Sequence, residues 1–269
     1  MRVVLTGLVL AVFFGSGTAF ARSSSIFGSE HRYMITNGQG VSSPSFLDGL
    51  NGANPAGLIY NTSIKLEAAG ATFDNSTNDI KGSGALLAGN SLIAAGAEYS
   101  QFNTEALAKN TDQVNFGVAG RLAPLNTTFG VSGHALSNGG GTTYDAGTLM
   151  DLFPRLTFGA MLKDFTNGIH EAAAGFTFVA DPMVDFVVDA AYQIDEKEAT
   201  VKPGLTFHTD LIQAAVAYGI KVTKNTADDA FLSRDFTAGL GLKLTQNILI
   251  EYQYKVFPQH WLGLTLRGN

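Results

Sequence analysis

From residue 58 to its C-terminus, the chain repeats segments in which apolar residues alternate with small or polar ones. In "LIQAAVAYGIKV" (Leu211 to Val222), one set of alternate positions reads isoleucine, alanine, valine, tyrosine, isoleucine and valine. The other set reads leucine, glutamine, alanine, alanine, glycine and lysine. The segments "FTAGLGLKL", "ILIEYQYKV" and "WLGLTLRG" repeat this alternation. Because successive side chains of a β-strand point to opposite faces, the pattern predicts strands rather than helices.

The composition of the second face distinguishes a membrane barrel from a soluble β-sheet protein. This face consists mainly of Gly, Ala and Thr, whereas a soluble sheet usually carries bulky charged residues towards solvent. The apolar face carries almost no charge, as expected for contact with lipid, where a charge at mid-depth costs about 2–4 kcal/mol. The single charges of the second face are Glu98, Arg121, Lys163, Asp185, Asp189, Lys202, Lys221, Lys243 and Glu251. The pattern predicts an all-β transmembrane antiparallel barrel, with a soluble sandwich or lipocalin-like barrel as the alternative.

The spacing of the turns predicts the number of strands and their orientation. Short turns occur at "APLN", "DLFPR", "ADPM", "HTD" and "TQN", and longer polar connections lie between them. Short turns of outer-membrane barrels face the periplasm, so both ends of the barrel are predicted there, with about 14 strands between them. An antiparallel barrel of this kind requires an even number of strands. The weak segment Ile80–Ala88 is therefore predicted as a strand that turns at Gly89-Asn90, and a barrel of about 12 strands is the alternative.

This assignment also predicts two belts of aromatic side chains on the apolar face. Aromatic rings favour the two interfaces between membrane and water, so their depth tests the strand assignment. The residues predicted near the outer rim are Tyr99, Phe116, Tyr192, Tyr218, Phe236 and Tyr254. Those predicted near the periplasmic rim are Phe158, Phe176, Phe186 and Phe207.

Residues 1–21 have the features of a secretion signal. Arg2 precedes the apolar run Val3–Phe14, and Ala19-Phe20-Ala21 gives the small-x-small cleavage pattern. The chain contains no cysteine, which excludes disulfides, thiolate metal sites and a lipid anchor on cysteine. The formal net charge of −6, without a basic face, argues against nucleic-acid binding. We expect the protein in the outer membrane of a Gram-negative bacterium, in contact with its lipids.

The segment between the signal and the first strand shows no alternation and is rich in Ser, Gly and Asn. It also carries Phe46, Leu47 and Leu50, which a free periplasmic tail, the alternative interpretation, would have little reason to contain. A barrel of about 14 strands has a lumen that wall side chains alone do not fill. We therefore predict a plug over residues 22–57, inside a barrel formed by residues 58–269.

The plug ends in "NPAGL", directly before the first predicted strand. Pro55 fixes its own φ and biases Asn54 to an extended conformation, so the turn can lead the chain from the plug into the wall. In this position, Asn54, Pro55, Ala56 and Gly57 resemble the Asn-Pro-Ala signature of the FadL family. The resemblance implies a fourteen-stranded outer-membrane transporter for long-chain fatty acids and other hydrophobic compounds, with an N-terminal plug. The predicted outer loops of this chain are shorter than those of the family. The resemblance also extends to related barrels that serve protein export rather than uptake.

The sequence predicts no enzyme. None of the five histidines is at a short metal-binding spacing, and no catalytic residue, metal or cofactor is predicted. We expect passive uptake of small hydrophobic molecules, with Phe46, Leu47 and Leu50 of the plug and the cations Arg121, Lys163 and Lys221 as candidate substrate-binding residues.

Several alternatives remain at this stage. The candidate cations can instead pair with Glu98, Asp189 or Glu251 across the lumen, and Gly96 or Gly117 can allow a strand to kink and open the wall sideways. The alternative function is a non-transporting structural, adhesive or secretion-partner protein. A general polar porin is a third possibility, but it requires a charged constriction.

Overall fold

The structure, a computed structural model, describes residues 54–60, 64–73, 80–100, 113–136, 142–166, 168–195, 197–222, 236–245, 247–255 and 259–268. The predicted signal peptide, most of the predicted plug, and Phe46, Leu47 and Leu50 lie outside these residues.

The described chain consists of β-strands that follow one another along the sequence. They are β1 (Ile64–Phe73), β2 (Ile80–Gly89), β3 (Ile93–Ser100), β4 (Gln113–Leu122), β5 (Thr127–Leu136), β6 (Thr142–Phe153), β7 (Leu156–Lys163), β8 (Glu171–Asp181), β9 (Val184–Gln193), β10 (Glu198–His208), β11 (Ile212–Tyr218), β12 (Ile220–Val222), β13 (Phe236–Thr245), β14 (Ile248–Lys255) and β15 (Gln259–Gly268). The short segments β11 and β12 are two parts of one wall strand that is interrupted at Gly219. The wall therefore has 14 strands, all antiparallel. The weak segment Ile80–Ala88, predicted as a strand because the number of strands must be even, is β2. The prediction of about 14 strands is therefore confirmed, and the alternative of about 12 strands is wrong.

The pairing between strands forms a complete ring. Each strand pairs with the next along the chain, and the first strand pairs with the last, from Ile64 opposite Gly268 to Phe73 opposite Gln259. The remaining junction is made by β10 and β11, from Gly204 opposite Ala217 to His208 opposite Gln213. Because each wall strand has a partner on both sides, backbone N–H and C=O groups are paired within the wall, as a bilayer requires.

The short turns lie where the sequence predicts them. The Asn90 side chain accepts hydrogen bonds from the backbone N–H groups of Leu92 (2.8 Å) and Ile93 (2.9 Å), which reverses the chain between β2 and β3. Between β4 and β5, a 3-10 helix (Ala123–Leu125) ends at Asn126, whose φ of 46° is in the left-handed region that asparagine tolerates. Hence one rim of the barrel carries tight turns, as a periplasmic rim does.

The two faces of the wall differ as the alternation predicts. On β4, Val114, Phe116 and Val118 are exposed on the outer face, while Asn115 and Ala119 on the inner face are buried. Predicted belt residues exposed on the outer face include Tyr99 and Tyr192 near the long connections and Phe176, Phe186 and Phe207 near the short turns. The outer surface is thus an apolar band with aromatic residues towards both rims. Among the described residues, no helix is long and apolar enough to cross a bilayer.

Candidate functional site

The segment that enters the barrel ahead of β1, here termed the anchor segment, comprises Asn54 and a 3-10 helix, Pro55–Tyr60. Asn54 and Leu58 are fully buried, and the helix packs against strands β2 to β6 on their buried face. The segment forms a local turn, because the Asn54 carbonyl accepts the Gly57 N–H (2.9 Å) and Asn54 Oδ1 accepts the Ala56 N–H (3.1 Å). Asn side chains stabilise turns through such bonds to their own backbone. The Asn-Pro-Ala-Gly turn therefore lies inside the barrel, against its wall.

The Asn54 amide group links this turn to two wall strands. Its Nδ2 donates hydrogen bonds to the backbone carbonyl of Thr148 on β6 (3.0 Å) and to that of Ala160 on β7 (3.3 Å). Thr148 and Ala160 are directly opposite each other in the sheet. Only a side chain with both a donor and an acceptor can make these bonds while its oxygen accepts the Ala56 N–H.

Two glycines of the wall, Gly130 on β5 and Gly147 on β6, make the close approach of the turn possible. They are opposite each other in the sheet, and together we call them the glycine seat. A Cβ atom at Gly130 would overlap backbone atoms of Pro55 and Ala56, and one at Gly147 would overlap the Asn54 side chain. Glycine inside a strand often marks such a close approach of another backbone.

The other end of the anchor segment is apolar. Leu58 and Ile59 pack into one buried cluster with the inner-face residues Ala85, Leu87, Ala94 and Ala119. These wall residues come from β2, β3 and β4, next to the short turns. Full burial of one such aliphatic side chain contributes about 1.5–3 kcal/mol, so this contact adds to the hydrogen bonds of Asn54.

Nearer the opposite rim, four side chains form a hydrogen-bonded polar row across β3 to β6. Asn115 Nδ2 donates to Glu98 Oε2 (3.0 Å), and Asn115 Oδ1 lies 2.8 Å from His134 Nδ1. His134 Nε2 lies 3.0 Å from Asp145 Oδ2. Asp145 Oδ1 in turn accepts the backbone N–H of Asp164 (2.9 Å), at the start of the connection after β7. The row thus joins four neighbouring strands and one connection of the outer rim.

Sequence reasoning could not test for catalytic geometry, and the polar row does not provide it. Ser132 Oγ lies 3.4 Å from His134 Nε2, but the Asp145 carboxylate is closer to the same nitrogen. The nitrogen that Ser132 faces is thus in contact with a carboxylate, an arrangement that differs from a triad in which serine and carboxylate contact opposite nitrogens of the imidazole. Ser132 is also buried. Within the described ranges, no group of His, Asp and Glu side chains could hold a metal ion.

The three candidate cations do not converge on one site. Arg121 Nη2 lies 3.7 Å from Asp151 Oδ2, Lys163 Nζ lies 3.1 Å from a Glu171 oxygen, and Lys221 Nζ lies 2.9 Å from Glu198 Oε2. Arg121 is beside the short turn that follows β4, whereas Lys163 and Lys221 are near the opposite rim. Lys163 and Lys221 thus each have a carboxylate on the neighbouring strand, whereas the partner of Arg121 lies two strands away, on β6. The role of the three cations as substrate-binding residues stays a prediction.

The wall formed by β8 to β11 carries buried polar groups beside a small apolar cluster of Val187, Ala215 and Ala217. Asp185, Asp189, Lys202 and Thr206 all have relative exposures of 3% or less. Lys202 is directly opposite Asp189 in the sheet, and the Asp189 carboxylate lies where a Cβ of Gly175 would otherwise be.

The same wall contains the interruption between β11 and β12. Gly204 pairs with Ala217, and Val201 pairs with Ile220 in the same register, but the two positions between them are skipped. Pro203 lies at this point, and it has no N–H to donate across to Tyr218. In contrast, pairing between β3 and β4 continues without a shift through Gly96 and Gly117, the glycines proposed for a sideways opening.

On the outer rim, two connections are joined by His170 and Asp195. Asp195 Oδ2 contacts His170 Nδ1, and the Ile194 N–H donates to the His170 carbonyl (2.8 Å). The hydrogen bond and the charge of Asp195 raise the pKa of His170 above its ordinary value of 6.5. This pair was not found from the sequence, because the two residues lie in different connections.

The glycine seat was also missed, although its signal was visible. Gly130 and Gly147 are glycines inside strand-like segments, a feature that can mark a close backbone approach but does not identify its partner. Pro203 within "TVKPGLTF" was a comparable signal for an interrupted ladder.

Comparisons with known proteins agree with this fold. No family model matches the chain, and no curated protein matches it. Three similar solved structures cover most of the chain. The outer membrane protein Omp33 of Acinetobacter baumannii has a TM-score of 0.52 and 10% identity, covering 77% of this chain and 98% of its own. A deletion mutant of TodX, a monoaromatic hydrocarbon channel, has a TM-score of 0.52 and 10% identity, covering 84% and 95%. A FadL homologue of Pseudomonas aeruginosa has a TM-score of 0.50 and 12% identity, covering 88% and 94%.

These likenesses show the fold. The ring of antiparallel strands, the apolar outer band and the similarity to bacterial outer-membrane barrels together place the protein in the outer membrane of a Gram-negative bacterium.

Proposed function

We propose that this protein is a passive channel for the uptake of small hydrophobic molecules, long-chain fatty acids among them. Its lumen is closed at rest by an N-terminal plug that continues from the anchor segment. The observation that carries the proposal is the burial of Asn54–Ile59 against the inner wall, directly ahead of the first strand. A segment held there narrows the space that is left for a solute passing along the axis.

The resemblance of Asn54–Gly57 to the FadL signature supports the same class of function. Among the similar structures, one is a monoaromatic hydrocarbon channel and one is a FadL homologue, and both have the same barrel type. None of the similar structures quoted above is described as an enzyme. The expected substrates share a small apolar body, and the transfer of such a body from water into lipid is favourable.

The proposed route uses the apolar residues of the plug first. A molecule from outside would contact Phe46, Leu47 and Leu50 and then pass the displaced plug. It would leave through the periplasmic end or sideways into the membrane at the interruption beside Pro203. Pro203 is on the outer face and the ladder rungs next to it are missing, so this part of the wall needs fewer broken hydrogen bonds to open than the continuous pairing of β3 with β4.

The test is transport into liposomes. The purified full-length mature protein and a variant lacking residues 22–53 are each reconstituted into vesicles with an outer leaflet of lipopolysaccharide, and entry of toluene and of oleic acid above that into protein-free vesicles is measured against entry of glucose. We expect slow entry of the apolar probes through the full-length protein, faster entry through the deletion variant, and little glucose passage in the full-length protein. If neither protein admits any solute, the proposal is wrong.

A second candidate function is a non-transporting outer-membrane barrel that serves a structural, adhesive or secretion-partner role. It is favoured by the burial of the polar side chains of the wall and of the anchor segment, which leaves neither exposed to a passing solute. This alternative predicts recovery of a stoichiometric protein partner from membranes, with no change in solute entry after deletion of the plug.

A further inference from the structure

The charged side chains that are buried on the inner wall are mostly acidic. Glu98, Asp145, Asp185 and Asp189 are each 4% exposed or less, and among the described residues Lys202 is the only lysine or arginine that is buried to the same degree. The three candidate cations near the rims each lie beside a further carboxylate, so they do not offset this excess. The described part of the inner wall therefore carries more negative than positive charge.

These carboxylates are spread along the barrel instead of being gathered at one point. Glu98 and Asp145 belong to the polar row near the long connections, and even a proton on His134 would balance only one of the two. Asp189 lies near the middle of β9, whereas Asp185 is the second residue of that strand, beside the short turn that follows β8. A solute that moves along the axis therefore passes acidic groups near both ends of the lumen.

The wall beside Asp185 shows the same preference through an uncharged group. Thr206 lies directly opposite Asp185 in the sheet and is fully buried, and its hydroxyl makes no hydrogen bond to any of the described residues. An ionised carboxylate only accepts hydrogen bonds, and a hydroxyl oxygen accepts them as well. This part of the inner face therefore suits a group that brings hydrogen-bond donors, such as an ammonium, better than it suits a second carboxylate.

A buried charge does not have to touch a solute in order to act on it. Coulomb energies fall only with the first power of distance, and walls of low dielectric constant focus the field of their charges into the space that they line. Rings of acidic side chains select for cations in this way in other pores. An uncharged apolar molecule is indifferent to the sign of such a field, whereas an anion is repelled by it.

We propose that the inner wall excludes anions, and that the channel passes apolar molecules that are uncharged or carry a positive group. Glu98 and Asp185 determine this specificity at the two ends of the lumen. This inference deepens the proposed function, on which it depends, because it narrows the class of substrate. A monoaromatic hydrocarbon or a protonated fatty acid passes, and a fatty-acid anion is held back.

The test compares two ions that carry one benzene ring each, the cation benzyltrimethylammonium and the anion benzenesulfonate. Their entry is measured with the full-length mature protein in phosphatidylcholine vesicles, because this lipid has no net charge and any preference then comes from the protein. A lumen lined by charges of one sign raises the local concentration of the opposite ion, so we expect the cation to enter about tenfold faster than the anion. Toluene entry is measured in parallel in the lipopolysaccharide vesicles described above.

Glu98→Gln and Asp185→Asn, singly and together, remove negative charge and keep the size of the side chain. We expect each to raise the entry of benzenesulfonate relative to benzyltrimethylammonium, the double variant most of all, without changing toluene entry. Asp210→Asn is the matched control, because it makes the same chemical change in the exposed short turn after β10. Folding is checked by heat-modifiable migration, and the comparison of the two ions in the wild type needs no variant.

The outcomes separate this inference from the proposed function. If toluene enters but benzenesulfonate enters as fast as benzyltrimethylammonium, the selection against anions is wrong and the channel stands. If neither ion enters through the wild type, the double variant decides: entry of benzenesulfonate there supports the inference, and its continued exclusion overturns it. Failure of toluene to enter would remove the channel itself, and this inference with it.

Discussion

Two regions of the inner wall differ although the same alternation produces both. Under the anchor segment, strands β2 to β6 offer glycines and alanines near the short-turn rim, and a segment of the chain packs directly on them. Across β8 to β11, the inner face carries buried Asp189, Lys202 and Thr206 among small apolar residues such as Ala215 and Ala217. The outer faces of the two regions are equally apolar. The alternation therefore determines the wall, while the size and charge of the inner residues determine what the wall can hold.

The largest expected effect is at Asn54, whose side chain holds the anchor segment of the first region against the wall. Asn54→Asp removes the Nδ2 donor and places a carboxylate against the carbonyls of Thr148 and Ala160. A buried charge without its partner costs about 3–5 kcal/mol, so we expect the anchor segment to leave the wall. The measurements are resting conductance in planar bilayers and protection of Leu58→Cys from maleimide in the same background.

Two variants calibrate this prediction. Asn54→Ala only deletes the hydrogen bonds and should cost about 1–3 kcal/mol, with a smaller rise in conductance. Asn126→Asp is the control for the chemical change itself, because Asn126 lies in a half-buried left-handed turn that aspartate also tolerates. Equal conductance in Asn54→Asp and Asn126→Asp would show that the amide group does not hold the turn.

The next effect tests whether the outer faces of the two regions are equivalent. Val118 on β4 and Val188 on β9 are both exposed on the apolar face, one behind each region. Arginine at mid-depth costs about 2–4 kcal/mol in lipid, so Val118→Arg and Val188→Arg should lower the free energy of unfolding in liposomes by similar amounts. Val118→Leu and Val188→Leu are the controls and should change it little. A large difference between the two arginine variants would mean that one of these positions does not face lipid.

Much of the wall could be predicted from the sequence because its rules are local. Period-two alternation, short turns and the need for an even number of strands were enough to place β2, whose own signal is weak. The Asn-Pro-Ala-Gly turn was also placed inside the barrel. The seat could not be predicted, since Gly130 and Gly147 contact residues far away in sequence, and a glycine in a strand does not identify its partner. The pair formed by His170 and Asp195 depends in the same way on how two connections meet.

A smaller effect concerns the interruption in the second region. Pro203→Val supplies the missing N–H opposite Tyr218 and suits the outer face of a strand. We expect two ladder positions to form and stability to rise by about 1 kcal/mol, the typical net value of a hydrogen bond. Leu205→Val, on the same face of β10 where pairing is already complete, is the control. If molecules leave sideways at this point, toluene entry should fall in Pro203→Val but not in Leu205→Val. Unchanged entry in both variants would indicate that molecules leave along the axis of the barrel.

The smallest effect is on the outer rim of the second region, where His170 and Asp195 join two connections. The pKa of His170 is raised, chiefly by its hydrogen bond to Asp195, so the contact stabilises the folded state fully below the ordinary value of 6.5. This contribution is lost as the pH rises through the higher pKa of the folded protein. Asp195→Asn should lower the pKa of His170 in an NMR titration towards its ordinary value. Asp164→Asn, which removes only a weaker charge effect, should lower it less, and the reverse order would show that Asp195 is not the main partner.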